Sequence, residues 1–129
     1  MGHALHVLVA DDENLIRDLF IEAVGESRLP LRLSTTDNGR DCLTLLNGGN
    51  VDIAFIDIHM PELDGLEVVR TVGVERMPVV VFVTAHEQYA VRAFDVRAAD
   101  YVLKPVADDQ FAQVLARAKQ QVHARAKAG

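Results

Sequence analysis

The feature that constrains this chain most is a change of hydrophobic period that repeats five times along it. Short apolar runs suited to buried strands, at residues 5–10, 31–35, 53–56, 79–83 and 101–103, alternate with segments whose apolar residues recur at helical spacing. That alternation is the pattern of β/α units around a parallel sheet, so a five-unit α/β fold is expected. Leu15, Ile16, Leu19, Phe20, Ala23 and Val24 form the first helical stripe. Cys42, Leu45 and Leu46 lie on a second helix, capped by Asp37 or Asn38 and stopped at Gly48-Gly49. Leu66, Val69 and Val72 mark a short third helix after Met60-Pro61 breaks the third run. A fourth helix is placed from about residue 86 to 94, and a last one carries Phe111, Val114, Leu115, Ala118 and Val122. The run 79–83, opened by Pro78, is the strongest strand signal and suits a central strand covered on both faces.

Composition narrows the function classes. At 129 residues, 50% apolar and 25% charged, the chain has the makings of one folded domain. Thirteen basic against nineteen acidic residues give a net charge of −6, which argues against a domain that itself grips a phosphate backbone. From Gln110 onward there are four basic residues and no acid, so the first 109 residues carry −10. No apolar stretch approaches the roughly 20 residues needed to span a bilayer, and the start lacks the pattern of a secretory signal. A cytoplasmic location is therefore expected. A single cysteine, Cys42, forms no internal disulfide and reads as a buried thiol.

In open parallel sheets the ligand site lies outside the carboxyl ends of the strands. There the chain places Asp11 and Asp12 after the first run, Asp57 at the end of the third, Thr84 after the fourth and Lys104 at the end of the fifth. Three carboxylates at one edge need either raised pKa values or a cation between them, and oxygen ligands of this kind suit Mg²⁺ or Mn²⁺. Asp11 and Asp12 also fit the simpler role of helix caps. Asp57 is harder to explain that way, because strand propensity gives no reason for an acid at the end of Ile53-Ala54-Phe55-Ile56. Thr84 alone fits a β-branched strand residue, and Lys104 alone fits a solvated cation. Together with the carboxylates they supply a metal cage or nucleophile, a hydroxyl donor and a point cation, the parts that phosphoryl transfer requires.

The sequence resembles the receiver domain of two-component response regulators over essentially its whole length. The matching pieces are Val7-Leu8-Val9-Ala10-Asp11-Asp12-Glu13, then Asp57-Ile58-His59-Met60-Pro61-Glu62-Leu63-Asp64-Gly65, then Val83-Thr84-Ala85, and Tyr101-Val102-Leu103-Lys104-Pro105. The stretch from Thr84 to Val96 also resembles receivers that carry a LytTR-type DNA-binding domain. The resemblance implies a flavodoxin-like, doubly wound five-stranded parallel sheet in the order 2-1-3-4-5, sandwiched between helices in three layers.

It also implies roles. Asp57 is the phosphoacceptor, attacking the phosphohistidine of a sensor histidine kinase in line. Asp12 and Asp57 bind Mg²⁺ directly, Asp11 acts through a water, and the His59 backbone carbonyl is a further ligand. Lys104 pairs with the phosphoryl group and the Thr84 hydroxyl swings to it. Tyr101 then turns inward, and the change is read on the fourth helix, fifth strand and fifth helix, where homodimerisation is expected on phosphorylation. The implied protein is a switch controlling an output such as transcription, and no enzyme beyond its own phosphorylation and dephosphorylation. The Lys104-Pro105 bond is cis in the family. His59 and His86 lie where they flank the route of hydrolytic water, and are candidates for tuning the phosphorylated lifetime.

Other readings fit less well. A phosphatase of the haloacid dehalogenase type needs a second acid two residues after its nucleophile, where this chain has His59. His86-Glu87 lacks the second histidine of a zinc protease helix, and Gly48-Gly49 lacks the Gly-Lys ending of a phosphate-binding loop. A receiver fold used as an interaction module without phosphorylation is the remaining alternative, opposed by the intact set of polar positions. Residues 1–122 are expected to form the receiver, with 123–129 a tail or the start of a linker to an effector domain.

Overall fold

The structure, a computed structural model, describes residues 4–27, 30–89, 92 and 95–128. Its five strands are β1 (Leu5–Ala10), β2 (Leu31–Thr36), β3 (Ile53–Asp57), β4 (Val79–Thr84) and β5 (Asp100–Leu103). They form one parallel sheet in the order β2-β1-β3-β4-β5, as expected. The helices are α1 (Asn14–Glu26), α2 (Gly39–Asn47), α3 (Gly65–Val72) and a C-terminal helix (Asp108–Ala128). Among the described residues no helix is long and apolar enough to cross a membrane.

Side-chain alternation along the strands sorts the core into two slabs. Leu8, Ala10, Ala54, Ile56, Val80 and Phe82 pack with Cys42 and Leu46 of α2 and Leu66 and Val69 of α3. Their neighbours in sequence, Val7, Val9, Ile53, Phe55, Val79 and Val81, pack with Phe20 of α1 and with Phe111, Val114 and Leu115 of the C-terminal helix. In that second slab the rings of Phe20, Phe55 and Phe111 meet at centroid separations of 4.6–5.5 Å. Each such buried ring contributes about 1.5–3 kcal/mol through area removed from water. The sheet is thus packed on both faces, and its carboxyl edge carries the buried Asp11, Asp57 and Thr84.

Local signals fix the helix ends. Asn38, one of the two candidate caps, accepts the Asp41 amide at 2.8 Å. Asp64 and Glu67 form a reciprocal capping box at the start of α3. One feature departs from the sequence reading. Leu15 is 83% exposed, although it sits in the first apolar stripe. At about 100° per residue it falls roughly 110° from the line through Ile16, Phe20 and Ala23, so it rides on the flank of the helix outside the buried stripe. The expected fourth helix includes residues 90, 91, 93 and 94, which lie outside the described residues; its approach is a 3₁₀ turn at Glu87–Tyr89. The C-terminal helix continues past Val122 to Ala128, through residues set apart in the sequence as tail or linker, and Arg125 donates to the Met77 carbonyl at 3.0 Å.

Gly39, at the start of α2, lies against the loop after β3, where an added Cβ would stand 1.9 Å from the Leu63 carbonyl oxygen. Gly39→Ala is expected to lower stability by about 1–3 kcal/mol, because backbone rather than a side-chain tip must give way. Gly25→Ala in α1, whose Cβ meets nothing within 4 Å, is expected to gain about 0.5–1 kcal/mol from helix propensity. Urea unfolding midpoints of the two variants check both signs.

Candidate functional site

The carboxyl edge of the sheet is built from backbone outward. Asp57 ends β3, as expected, and Thr84, expected just after its strand, is instead the last residue of β4; they are in register with Val83 and Leu103. Their side chains are therefore held by the strand ladder. Asp11 follows β1 directly: its amide donates to the Thr36 carbonyl at 3.1 Å, and its own carbonyl accepts from the Arg17 guanidinium at 2.7 Å. The α3 N-terminus backs against Asp57, since a Cβ on Gly65 would lie 2.5 Å from the Asp57 carbonyl oxygen. Lys104 follows β5, its amide donating to the Thr84 carbonyl at 2.8 Å, with a cis bond to Pro105.

These elements bring Asp11, Asp12, Asp57, Thr84 and Lys104 to one edge. Asp11 and Asp57 are buried and Asp12 is exposed. One carboxylate oxygen from each of the three acids lies within 4.8 Å of the others. The Lys104 ammonium sits 2.8 Å from Glu13 Oε1, 3.0 Å from Asp11 Oδ2 and 3.6 Å from Asp57 Oδ2. Its contact with Asp11 Oδ2 is an ion pair without hydrogen-bond alignment, so that buried oxygen has no hydrogen-bond partner. Asp11 Oδ1 accepts the Glu13 amide at 2.9 Å, and Asp57 Oδ1 accepts the His59 amide at 3.2 Å. Glu13, not Asp11 or Asp12, is the N-cap of α1, so neither aspartate serves as a helix cap. Above this floor lies a cleft of about 230 Å³ lined by Asp12, Glu13, Asp57, His59, Ala85, His86 and Lys104. A larger groove, about 330 Å³, runs between α1 and the C-terminal helix and holds none of the expected site residues.

The crowding of charge is visible in the acid–base chemistry. Burial, then the charge of Asp11, push the Asp57 carboxyl up to about 7; Lys104 and the His59 amide oppose this, and Asp12 adds to it. Asp11 is also raised, by burial first, against the Glu13 amide and Lys104. Burial works against the Lys104 ammonium, but its bonds to Glu13 and Asp11 and the charges of Asp57 and Asp11 outweigh it, so its pKa rises. A buried carboxylate oxygen without a hydrogen bond, beside two further acids, is a donor set that fits a small divalent cation.

Two residues enter the site that sequence reasoning assigned no role. Glu13 reaches Lys104 across 91 positions of sequence. Tyr89 packs edge-on to His59, with ring centroids 4.8 Å apart, while His59 and His86 meet at 5.2 Å. The expected switch pair lies close by: the Thr84 hydroxyl accepts the His86 amide at 3.1 Å, and Tyr101 is half-buried opposite Phe82. By strand alternation Thr84 falls on the same sheet face as Phe82.

Parallel strands in this order with an acidic cleft at the carboxyl edge define a doubly wound α/β protein of the flavodoxin type, carrying a cation-and-anion site at that edge. The chain belongs to the response regulator receiver domain family, whose model matches residues 7–116. It is 39% identical over 116 residues to the positive alginate biosynthesis regulatory protein of Pseudomonas aeruginosa, covering 88% of this chain and 47% of that one. It is 33% identical over 110 residues to the sensory transduction protein LytT of Oceanobacillus iheyensis, covering 83% and 45%. The crystal structure of the response regulatory domain of protein mrkE from Klebsiella pneumoniae superposes with a TM-score of 0.79 at 30% identity, covering 92% of this chain and 98% of that one. The chain spans about half the length of the curated relatives it matches. Receiver domains are signalling modules of two-component systems, and they bind Mg²⁺ at an acidic cluster such as that of Asp11, Asp12 and Asp57.

Because Asp57 holds its proton up to about pH 7 in the fold but only to about 3.8 when unfolded, raising the pH across that window removes stability from the metal-free protein. Asp57→Asn is therefore expected to stabilise the metal-free protein at pH 8 by on the order of 2 kcal/mol, and by progressively less toward pH 5. Urea titrations of both proteins in chelator, at pH 5 and pH 8, read the difference.

Proposed function

We propose that this domain is a phosphorylation-activated switch in which Asp57 takes a phosphoryl group from the phosphohistidine of a sensor kinase. The observation that carries the reading is the placement of Asp57: a buried carboxylate on a fixed strand end, with Lys104 3.6 Å away and an open cleft above it. An Asp57 carboxylate oxygen forms the new O–P bond in line as the P–N bond of the donor breaks, and the donor imidazole leaves with the electron pair. Asp11, Asp12 and Asp57, with the His59 backbone carbonyl, are the residues that would hold Mg²⁺, or Mn²⁺ in its place. The ion, when bound, neutralises charge on the phosphoryl oxygens. Lys104 supplies a further positive charge from the protein itself, and the Thr84 hydroxyl, now accepting from the His86 amide, turns to donate to the phosphoryl oxygen.

Movement of Thr84 vacates space on its face of the sheet, and Tyr101 follows it. The readout surface is then β5, the C-terminal helix and the segment between β4 and β5, with homodimerisation as its consequence. Relatives about twice this length include LytT and the alginate regulator. We accordingly assign the chain to a cytoplasmic transcriptional regulator, with residues 1–122 as the receiver and 123–129 leading to a DNA-binding effector. The receiver itself touches no nucleic acid in this scheme.

Incubation with Mg²⁺ and a small phosphodonor is expected to add one phosphoryl mass to the wild type and none to Asp57→Asn. An unmodified wild type, or an undiminished signal on the variant, removes the phosphoacceptor assignment. The rings of His59 and His86 border the mouth of the cleft, where water must pass to hydrolyse the acyl phosphate. His59→Ala and His86→Ala are each expected to change the dephosphorylation rate about two- to tenfold, on the scale of single contacts that act only in the transition state. Rates equal to wild type in both variants would leave the histidines without this role.

A further inference from the structure

We infer that Glu13 is a positioning residue that holds the Lys104 ammonium away from Asp57 in the resting protein and must release it when a phosphoryl group arrives. The inference rests on the phosphoacceptor reading above. Lys104 has three N–H donors and faces three carboxylates. Its shortest contact, 2.8 Å, is to Glu13, while Asp57 at 3.6 Å is beyond hydrogen-bond reach. The partners differ in how free they are to move. Asp11 and Asp57 are held at strand ends, whereas the Glu13 side chain is 56% exposed over a lysine that is only 9% exposed. Glu13 therefore closes the solvent side of the ammonium.

The Glu13 backbone cannot follow a retreating partner, because its amide is tied to the Asp11 carboxylate at 2.9 Å and its carbonyl accepts the Arg17 amide at 3.1 Å. Only its side chain can let go. Two effects of opposite sign follow from removing this hold. Without Glu13 the ammonium is left to Asp11 Oδ2 at 3.0 Å and Asp57 Oδ2 at 3.6 Å, so Lys104 competes with a divalent cation for those two carboxylates. Once a phosphoryl group occupies Asp57, the ammonium is already free to meet it, and the phosphorylated form gains.

Two substitutions separate reach from charge. Glu13→Gln removes the charge; Glu13→Asp keeps it but shortens the side chain by a methylene, about 1.5 Å short of Lys104 on a fixed backbone. Both are exposed substitutions that leave the core untouched. Titration calorimetry with Mg²⁺ alone, and with beryllium fluoride as a phosphoryl mimic at saturating Mg²⁺, reads the two states. In both variants Mg²⁺ binding is expected to weaken and beryllium fluoride binding to tighten, each by about three- to tenfold, within the range of coupling between contacting charges. In Lys104→Met the effect of Glu13→Gln on beryllium fluoride should shrink below about twofold. A Glu13→Asp protein that matches wild type, or an undiminished Glu13→Gln effect in Lys104→Met, would mean that only bulk charge is at work and would overturn the inference. A wild type that binds neither Mg²⁺ nor beryllium fluoride would instead sink the phosphoacceptor reading itself.

Discussion

Three acids share one lysine at the edge of this sheet, and the arrangement of everything around them follows from that imbalance. Asp11 and Asp57 are buried, their carboxyls raised by desolvation, and Lys104 is the cation the fold brings to them. A single ammonium cannot neutralise Asp11, Asp57 and Glu13 together while Asp12 stands beside them. The excess negative charge gives the site its appetite for a cation, and the fold tolerates it because the two slabs of core beneath supply stability elsewhere. An edge optimised for stability would have replaced one of these acids with an amide.

The strand pleat distributes labour around this charge. β1, β3, β4 and β5 deliver Asp11, Asp57, Thr84 and Lys104 at their ends, and in β3 and β4 the residues just before them are apolar and buried. Gly65 lets α3 press on the Asp57 carbonyl, and Gly39 lets α2 press on the loop that follows. On that side the acceptor is walled in. On the other side Thr84 is linked through the His86 amide to a 3₁₀ turn that carries Tyr89, which packs on His59. The site is therefore backed by helix backbone toward α2 and α3, and bordered by side-chain contacts toward the turn at Glu87–Tyr89.

Most of this was legible in the residues. Five apolar runs locate five strands because a doubly covered strand has no polar face to blur the signal. The residues that end them stand out chemically for the same reason, and the order of Asp11, Asp57, Thr84 and Lys104 along the chain identifies the edge they share. What periodicity missed has physical causes. Asp57 and Thr84 join the ladder although propensity alone stops before them, because neighbouring strands continue to pair. Leu15 reads as core by spacing but lies off the centre of its helical stripe. His6 disappears inside an apolar run, yet it is buried and bonded to the Asn50 carbonyl and the Ser34 hydroxyl, partners 44 and 28 positions away. Glu13 and Lys104 meet only because β1 and β5 end at the same edge, which no local pattern encodes.

The placement of Asp57 and Thr84 within the ladder, rather than in loops beyond it, bears on how quickly such a site can answer. The floor of the cleft is hydrogen-bonded strand and cannot widen without breaking backbone bonds. Its walls are the side chains of Asp12, Glu13, His59 and Lys104 and the start of the turn after β4 at Ala85 and His86. Rotation of an exposed side chain takes picoseconds to nanoseconds, whereas loop rearrangement runs into microseconds. Side-chain charges over this immobile base can therefore rearrange sooner than the turn can change shape. Parts of different stiffness, meeting at one cleft, thus set two separate timescales for motion around Asp57.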